Sequence, residues 1–124
     1  MQGTYFVPEV SLNAEIGLCN IKGESYLEDA DTFYEQVIVW IDQYFEHVKK
    51  PLVFNFNLSY FNTGSSKAIM RIMKKLKHYI SEGYEIKVNW YYPSSDISLA
   101  TEAEDLRDTT KLTEMNIIAY HIDF

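Results

Sequence analysis

The chain has 124 residues, 47% of them hydrophobic and 15% aromatic, with 11 basic and 18 acidic side chains giving a formal net charge of −7. This length supports one hydrophobic core and is too short for two ordinary domains, so residues 1–124 are read as one domain. The acidic balance disfavours general nucleic-acid affinity, which needs a cationic footprint matched to the phosphates. Cys19 is the only cysteine, which excludes an internal disulfide and a cysteine-based zinc site and fits a small buried apolar side chain in a reducing compartment. Neither a secretory-signal pattern nor an apolar run of bilayer-spanning length is present, so the expectation is a soluble, cytoplasmic protein with no membrane partner.

In chain order, residues 7–12 and 15–22 read as two short strands joined by Asn13-Ala14, a hairpin. Gly23-Glu24-Ser25-Tyr26 breaks that pattern. Thr32-Phe33-Tyr34-Glu35 has capping-box spacing for a helix start, and Tyr34, Val37, Ile38, Ile41, Phe45 and Val48 recur at helical spacing to form its buried stripe. Lys49 and Lys50 suit the negative end of that helix, and Pro51 stops it. Phe33, Trp40 and Tyr44 widen its apolar surface, either as further core packing or as anchors in a protein interface.

Leu52, Phe54, Phe56, Leu58 and Tyr60 alternate with Val53, Asn55, Asn57 and Ser59, a strand with one apolar and one mostly polar face. Ile86, Val88 and Trp90 alternate with Glu85, Lys87 and Asn89 in the same way. Strands covered on both faces would be nearly continuously apolar, so these imply helices on one face only. Between them, Ile69, Ile72, Met73, Leu76 and Ile80 make the stripe of a second helix, ended by Gly83. Residues 97–106 read as an acidic third helix. Residues 116–124, with Ile118, Tyr120, Ile122 and Phe124 alternating, read as a final strand. The expected architecture is an α/β two-layer sandwich in the order ββαβαβαβ, a mixed sheet with helices mainly on one face.

Phe61-Asn62-Thr63-Gly64-Ser65-Ser66-Lys67 sits where a strand hands over to a helix. Asn, Thr and Ser are the residue types that cap helix starts. Such a start also presents free N–H groups and the positive end of the macrodipole, where a phosphoryl group is accommodated. Capping and modification are compatible, and Thr63, Ser65 and Ser66 are all candidates by type. Lys67, Arg71, Lys74, Lys75 and His78 share one face of the second helix, either a solvated surface or a docking face for an acidic partner. No catalytic constellation is present: His47, His78 and His121 are scattered, and the Gly-x-Ser-x-Gly, Gly-x-Gly-x-x-Gly and Walker A patterns are absent. The acidic residues Glu102, Glu104, Asp105 and Asp108 are read as a solvated helix face in preference to a cation site. No cofactor or metal is expected.

Residues 60–70, Tyr60-Phe61-Asn62-Thr63-Gly64-Ser65-Ser66-Lys67-Ala68-Ile69-Met70, resemble the phosphorylated-threonine segment of the SiaC family of bacterial regulatory phosphoproteins. Gly23-Glu24-Ser25-Tyr26-Leu27-Glu28 followed by Phe33, Gln36-Val37-Ile38 and Trp40 is similar to the segment leading into that family's first helix. Trp90-Tyr91-Tyr92 with Glu104-Asp105 is similar to a third. Leu27 stands where the family usually has proline, and Gly64 where serine is common. The resemblance implies a fold like that of anti-sigma-factor antagonist (STAS-like) domains and a non-enzymatic partner switch. By that implication a kinase phosphorylates Thr63, a metal-dependent phosphatase reverses this, and the unmodified form binds a diguanylate cyclase. Asn62, Gly64, Ser65, Ser66 and Lys67 would form the phosphosite loop and docking contact, with Arg71, Lys74 and Lys75 as further partner surface, on a monomer or weak dimer. Two other readings stay open: a small-molecule-binding or enzymatic α/β domain using the same loop, and a constitutive interaction module using the exposed sheet face.

Overall fold

The computed structural model describes residues 6–121. Five strands lie in the spatial order of their sequence: β1 (Glu9–Asn13), β2 (Leu18–Ser25), β3 (Leu52–Phe61), β4 (Ile86–Pro93) and β5 (Asn116–Tyr120). β1 runs antiparallel to β2, and the other three pairings are parallel. Helices α1 (Ala30–Gln43), α2 (Thr63–Ser81) and α3 (Ile97–Thr110) make the parallel crossovers. The mixed sheet, two layers and ββαβαβαβ order match the expectation.

The core lies between the helices and one face of the sheet. Cys19 and Ile21 from β2, Phe54, Phe56 and Leu58 from β3, and Val88 and Trp90 from β4 are fully buried there against Tyr34, Ile41, Ile69, Ile72, Met73 and Leu76. Burial pushes the Cys19 thiol up to about 12, as befits a cysteine that packs as a small apolar residue. The opposite face is polar, and its side chains pair with one another. Asn55 donates to Asn20 (3.0 Å), Asn89 to Asn55 (2.9 Å) and Asn116 to Asn89 (3.1 Å), an amide row across all four parallel strands. Glu9, Lys22, Tyr91 and Tyr120 rise around that row to enclose a trough of about 770 Å³.

Several boundaries depart from the sequence reading. Glu15 and Ile16 belong to the hairpin turn, because the Asn13 side chain accepts from both of their N–H groups (3.1 and 3.2 Å) and Gly17 adopts φ +66°. A Cβ on Gly17 would lie 2.5 Å from the Pro51 carbonyl oxygen, so only glycine fits. β2 continues through Gly23 to Ser25, where a break was expected. Gly23 pairs with Leu58 and Glu24 with Tyr60, leaving Ser59 as the extra residue of a β-bulge beside Gly23 at φ +106°. The bulge reverses the alternation at the end of β3. Phe61 takes the inward place against Trp90, and Tyr60 is half-exposed, stacked on Tyr26.

α1 starts one turn before the expected capping box, with the Asp29 carboxylate accepting from both the N–H and the hydroxyl of Thr32. It ends in a five-residue π-helical turn, Tyr44–Val48, closed by Lys49 at φ +59°. Tyr44 is buried and Trp40 stacks on it, so the wide aromatic stripe of α1 mainly serves the core. α3 extends to Thr110. β5 ends at Tyr120, and the expected strand positions Ile122 and Phe124 lie outside the described residues.

Candidate functional site

The end of β3 turns directly into α2 at Asn62, whose extended backbone (φ −80°, ψ 176°) and side chain cap the helix by accepting from the Ser65 N–H at 3.0 Å. The same side chain donates to the Leu27 carbonyl (3.0 Å), and the Asn62 N–H donates to the Ser25 carbonyl (3.0 Å). One asparagine thus ties the helix start to the end of β2. Ser65 is fully buried, with its hydroxyl donating to the Ser25 carbonyl (3.0 Å) and accepting from the Ser25 hydroxyl (2.8 Å). Tyr34 of α1 completes this network, its OH 2.7 Å from Ser25 Oγ. Burial pushes that phenol up to about 12.

Three hydroxyls that residue type alone could not rank are thereby separated. Thr63 is exposed at the first position of α2, Ser66 is half-buried, and Ser65 is inaccessible in the native fold. The expected role of Ser65 in a docking loop is therefore corrected: it holds the loop from beneath. Gly64 is exposed, and a Cβ there would meet nothing within 4 Å, so the glycine answers no steric demand. The N–H groups of Thr63 and Gly64 occupy the first two places of the helix and have no acceptor within it. Lys67, one turn on, is exposed.

The basic face of α2 divides on inspection. Arg71 reaches across to α1, bonding Asp31 (3.3 Å) and Glu35 (2.9 Å), and Lys75 pairs with Asp42 (3.2 Å). Lys67 and Lys74 are exposed without an ion pair among the described residues. Arg71 and Lys75, expected as partner surface, are engaged between helices.

On its other flank Thr63 borders a cleft of about 430 Å³ lined by Phe61, Asn62, Ser66 and Met70 and, from α3, by Glu102, Asp105, Leu106 and Thr109. Burial, together with the nearby Asp96 and Asp105, raises the Glu102 carboxyl above the usual carboxylate range. The sequence showed these acids as a solvated helix face and gave no signal that two of them stand beside Thr63. His47, His78 and His121 lie on separate elements, and no group of three His, Cys, Asp or Glu side chains converges among the described residues. No helix among those residues is long and apolar enough to cross a membrane.

Fold and junction together define a small two-layer α/β domain that presents one exposed threonine at a strand-to-helix turn. A family model described as SiaC family regulatory phosphoprotein matches residues 1–120, and the chain belongs to that family. An uncharacterized protein of Pseudomonas aeruginosa (strain UCBPP-PA14) is 29% identical over 106 residues, 86% of this chain and 84% of the relative. Among solved structures, the crystal structure of the diguanylate cyclase SiaD in complex with its activator SiaC from Pseudomonas aeruginosa matches with TM-score 0.86 and 28% identity, over 95% of this chain and 96% of the other. Apo-SiaC from the same organism matches with TM-score 0.84 and 28% identity, over 96% of each chain.

Proposed function

We propose that this protein is a non-enzymatic switch in which the phosphorylation state of Thr63 governs docking to an output protein, a diguanylate cyclase. The carrying observation is that Thr63 alone among the clustered hydroxyls stands exposed on a helix start whose geometry is set by buried bonds. The likeness to a SiaC that activates a diguanylate cyclase supports the partner class. A kinase adds the phosphoryl group and a metal-dependent phosphatase removes it. Lys67, Asn62, Gly64 and Ser66 frame the contact.

Unmodified, the threonine hydroxyl lies in a surface that a partner can cover at small desolvation cost. A phosphoryl group adds roughly −1.5 to −2 charges and three acceptor oxygens, with the N–H groups of Thr63 and Gly64 and the Lys67 ammonium as its nearest favourable partners. A differential of about 3 kcal/mol between the two forms is a change in affinity of roughly two orders of magnitude. Incubation with the cognate kinase followed by mass spectrometry should place phosphate on Thr63. Modification confined to other residues would refute the assignment.

A further inference from the structure

We propose that the cleft between the start of α2 and α3 seats a basic side chain, arginine or lysine, presented by the partner protein. The inference rests on the partner-docking reading above and adds the chemistry of the contact. The cleft combines two kinds of lining: Phe61, Met70 and Leu106 offer apolar surface, while Glu102 and Asp105 offer carboxylates, with Thr63 at the margin. Long basic side chains match that combination, because their aliphatic stems pack on apolar surface while the cationic head meets the acids.

Charge bookkeeping within the domain favours a cation from outside. Of the cations on α2 and α3, Arg71 bonds Asp31 and Glu35 and Lys75 bonds Asp42, while Lys67, Lys74 and Arg107 make no ion pair with either cleft acid among the described residues. Neither Glu102 nor Asp105 forms an ion pair among the described residues. Their spacing of three residues puts both carboxylates on one face of α3, where they repel until a cation is placed between them. Burial chiefly, then the charges of Asp96 and of Asp105, raise the Glu102 carboxyl, so the repulsion from Asp105 is the smallest of the three contributions. The partner surface is therefore cationic here, the opposite sign from that expected when the basic stripe of α2 was read as the docking face. A phosphoryl group on Thr63 takes up the cleft margin; its charge attracts the incoming cation, so modification weakens docking only through the space it occupies.

The test uses a small probe first. N-acetylarginine amide, titrated into the full chain and followed by methyl NMR, should shift the Met70 and Leu106 methyl resonances. N-acetylnorleucine amide should not, and high salt or the E102Q/D105N double variant should abolish the response. Silence at both methyls, or an equal response in the double variant, overturns the proposal. So does a titration with Mg²⁺ that saturates at the same methyls and displaces the arginine probe, which would make the cleft a cation site. Against the purified diguanylate cyclase, E102Q/D105N should weaken binding about tenfold, with a larger loss for Glu102→Lys. Unchanged affinity in these variants while Thr63→Glu still weakens binding defeats this proposal alone. If Thr63→Glu is also silent, the docking reading itself fails.

Discussion

Ser25 and Ser65, separated by 40 positions in the chain, are joined by two hydrogen bonds in the interior: Oγ to Oγ at 2.8 Å, and Ser65 Oγ to the Ser25 carbonyl at 3.0 Å. Replacing either by alanine leaves buried polar atoms with fewer partners, at a cost of about 1–3 kcal/mol. Ser25→Ala also takes the hydrogen-bond partner from the Tyr34 phenol. Urea denaturation should show both single losses, and the double variant should lose less than their sum, because the two hydroxyls belong to one network. Strict additivity would show that the pair acts as two independent contacts.

Gly64 provides a test with the opposite sign. It lies in the first turn of α2, has no positive φ, and leaves open space where a side chain would project. Gly64→Ala should raise stability by roughly 0.5–1 kcal/mol, chiefly by restricting the unfolded chain. A loss of stability in thermal melts would mean that the turn needs the freedom of glycine after all.

Two fully buried groups make the fold sensitive to alkali. The folded Cys19 thiol and Tyr34 phenol titrate near 12, against ordinary values of 9.0 and 10.0. Below those ordinary values neither group loses a proton in either state, and both contributions are intact. Above pH 9 for the thiol and pH 10 for the phenol, the unfolded chain releases a proton that the folded chain keeps. Stability should then fall by about 1.4 kcal/mol per pH unit for each group, until pH reaches about 12. Tyr34→Phe should reduce the part of the slope that begins near pH 10, with a remainder from the Tyr79 phenol, which burial and its bond to Asp42 also raise to about 12, read from denaturation midpoints between pH 8 and pH 11. An unchanged slope would assign the alkaline loss to other groups.

The bridge between helices at Arg71 is exposed, so its energetic weight is small. Arg71→Ala should lower stability by at most about 1 kcal/mol in low salt, and by less when the pair is screened. A loss of several kcal/mol would require a packing role for its stem.

How much of this was legible beforehand depended on how local each feature is. The inward alternation of Leu52, Phe54, Phe56 and Leu58 identified β3 and its core face, because period-two burial is written in consecutive residues. It misplaced Tyr60, since the bulge at Ser59 arises from pairing with Gly23 and Glu24, and period two runs through Tyr60 unbroken in the sequence. The junction at Thr63 was readable from the clustering of capping residues after a strand. The burial of Ser65 was not, because its partner is supplied by a different strand. The nearness of Glu102 and Asp105 to Thr63 was hidden for the same reason: α3 reaches that junction only through the fold.

The asparagine row on the open face has a consequence for folding fidelity. Sliding one parallel strand past its neighbour by two residues would keep every apolar side chain pointing inward, so burial alone discriminates poorly between such alignments. Asn20, Asn55, Asn89 and Asn116 occupy matching positions on four strands in the native alignment, and a two-residue slip of β4, which would bring Lys87 or Tyr91 into line, would break two of their three side-chain bonds at once. The polar face therefore keys β4 to its neighbours, and with β4 the point from which the chain enters α3 beside Thr63.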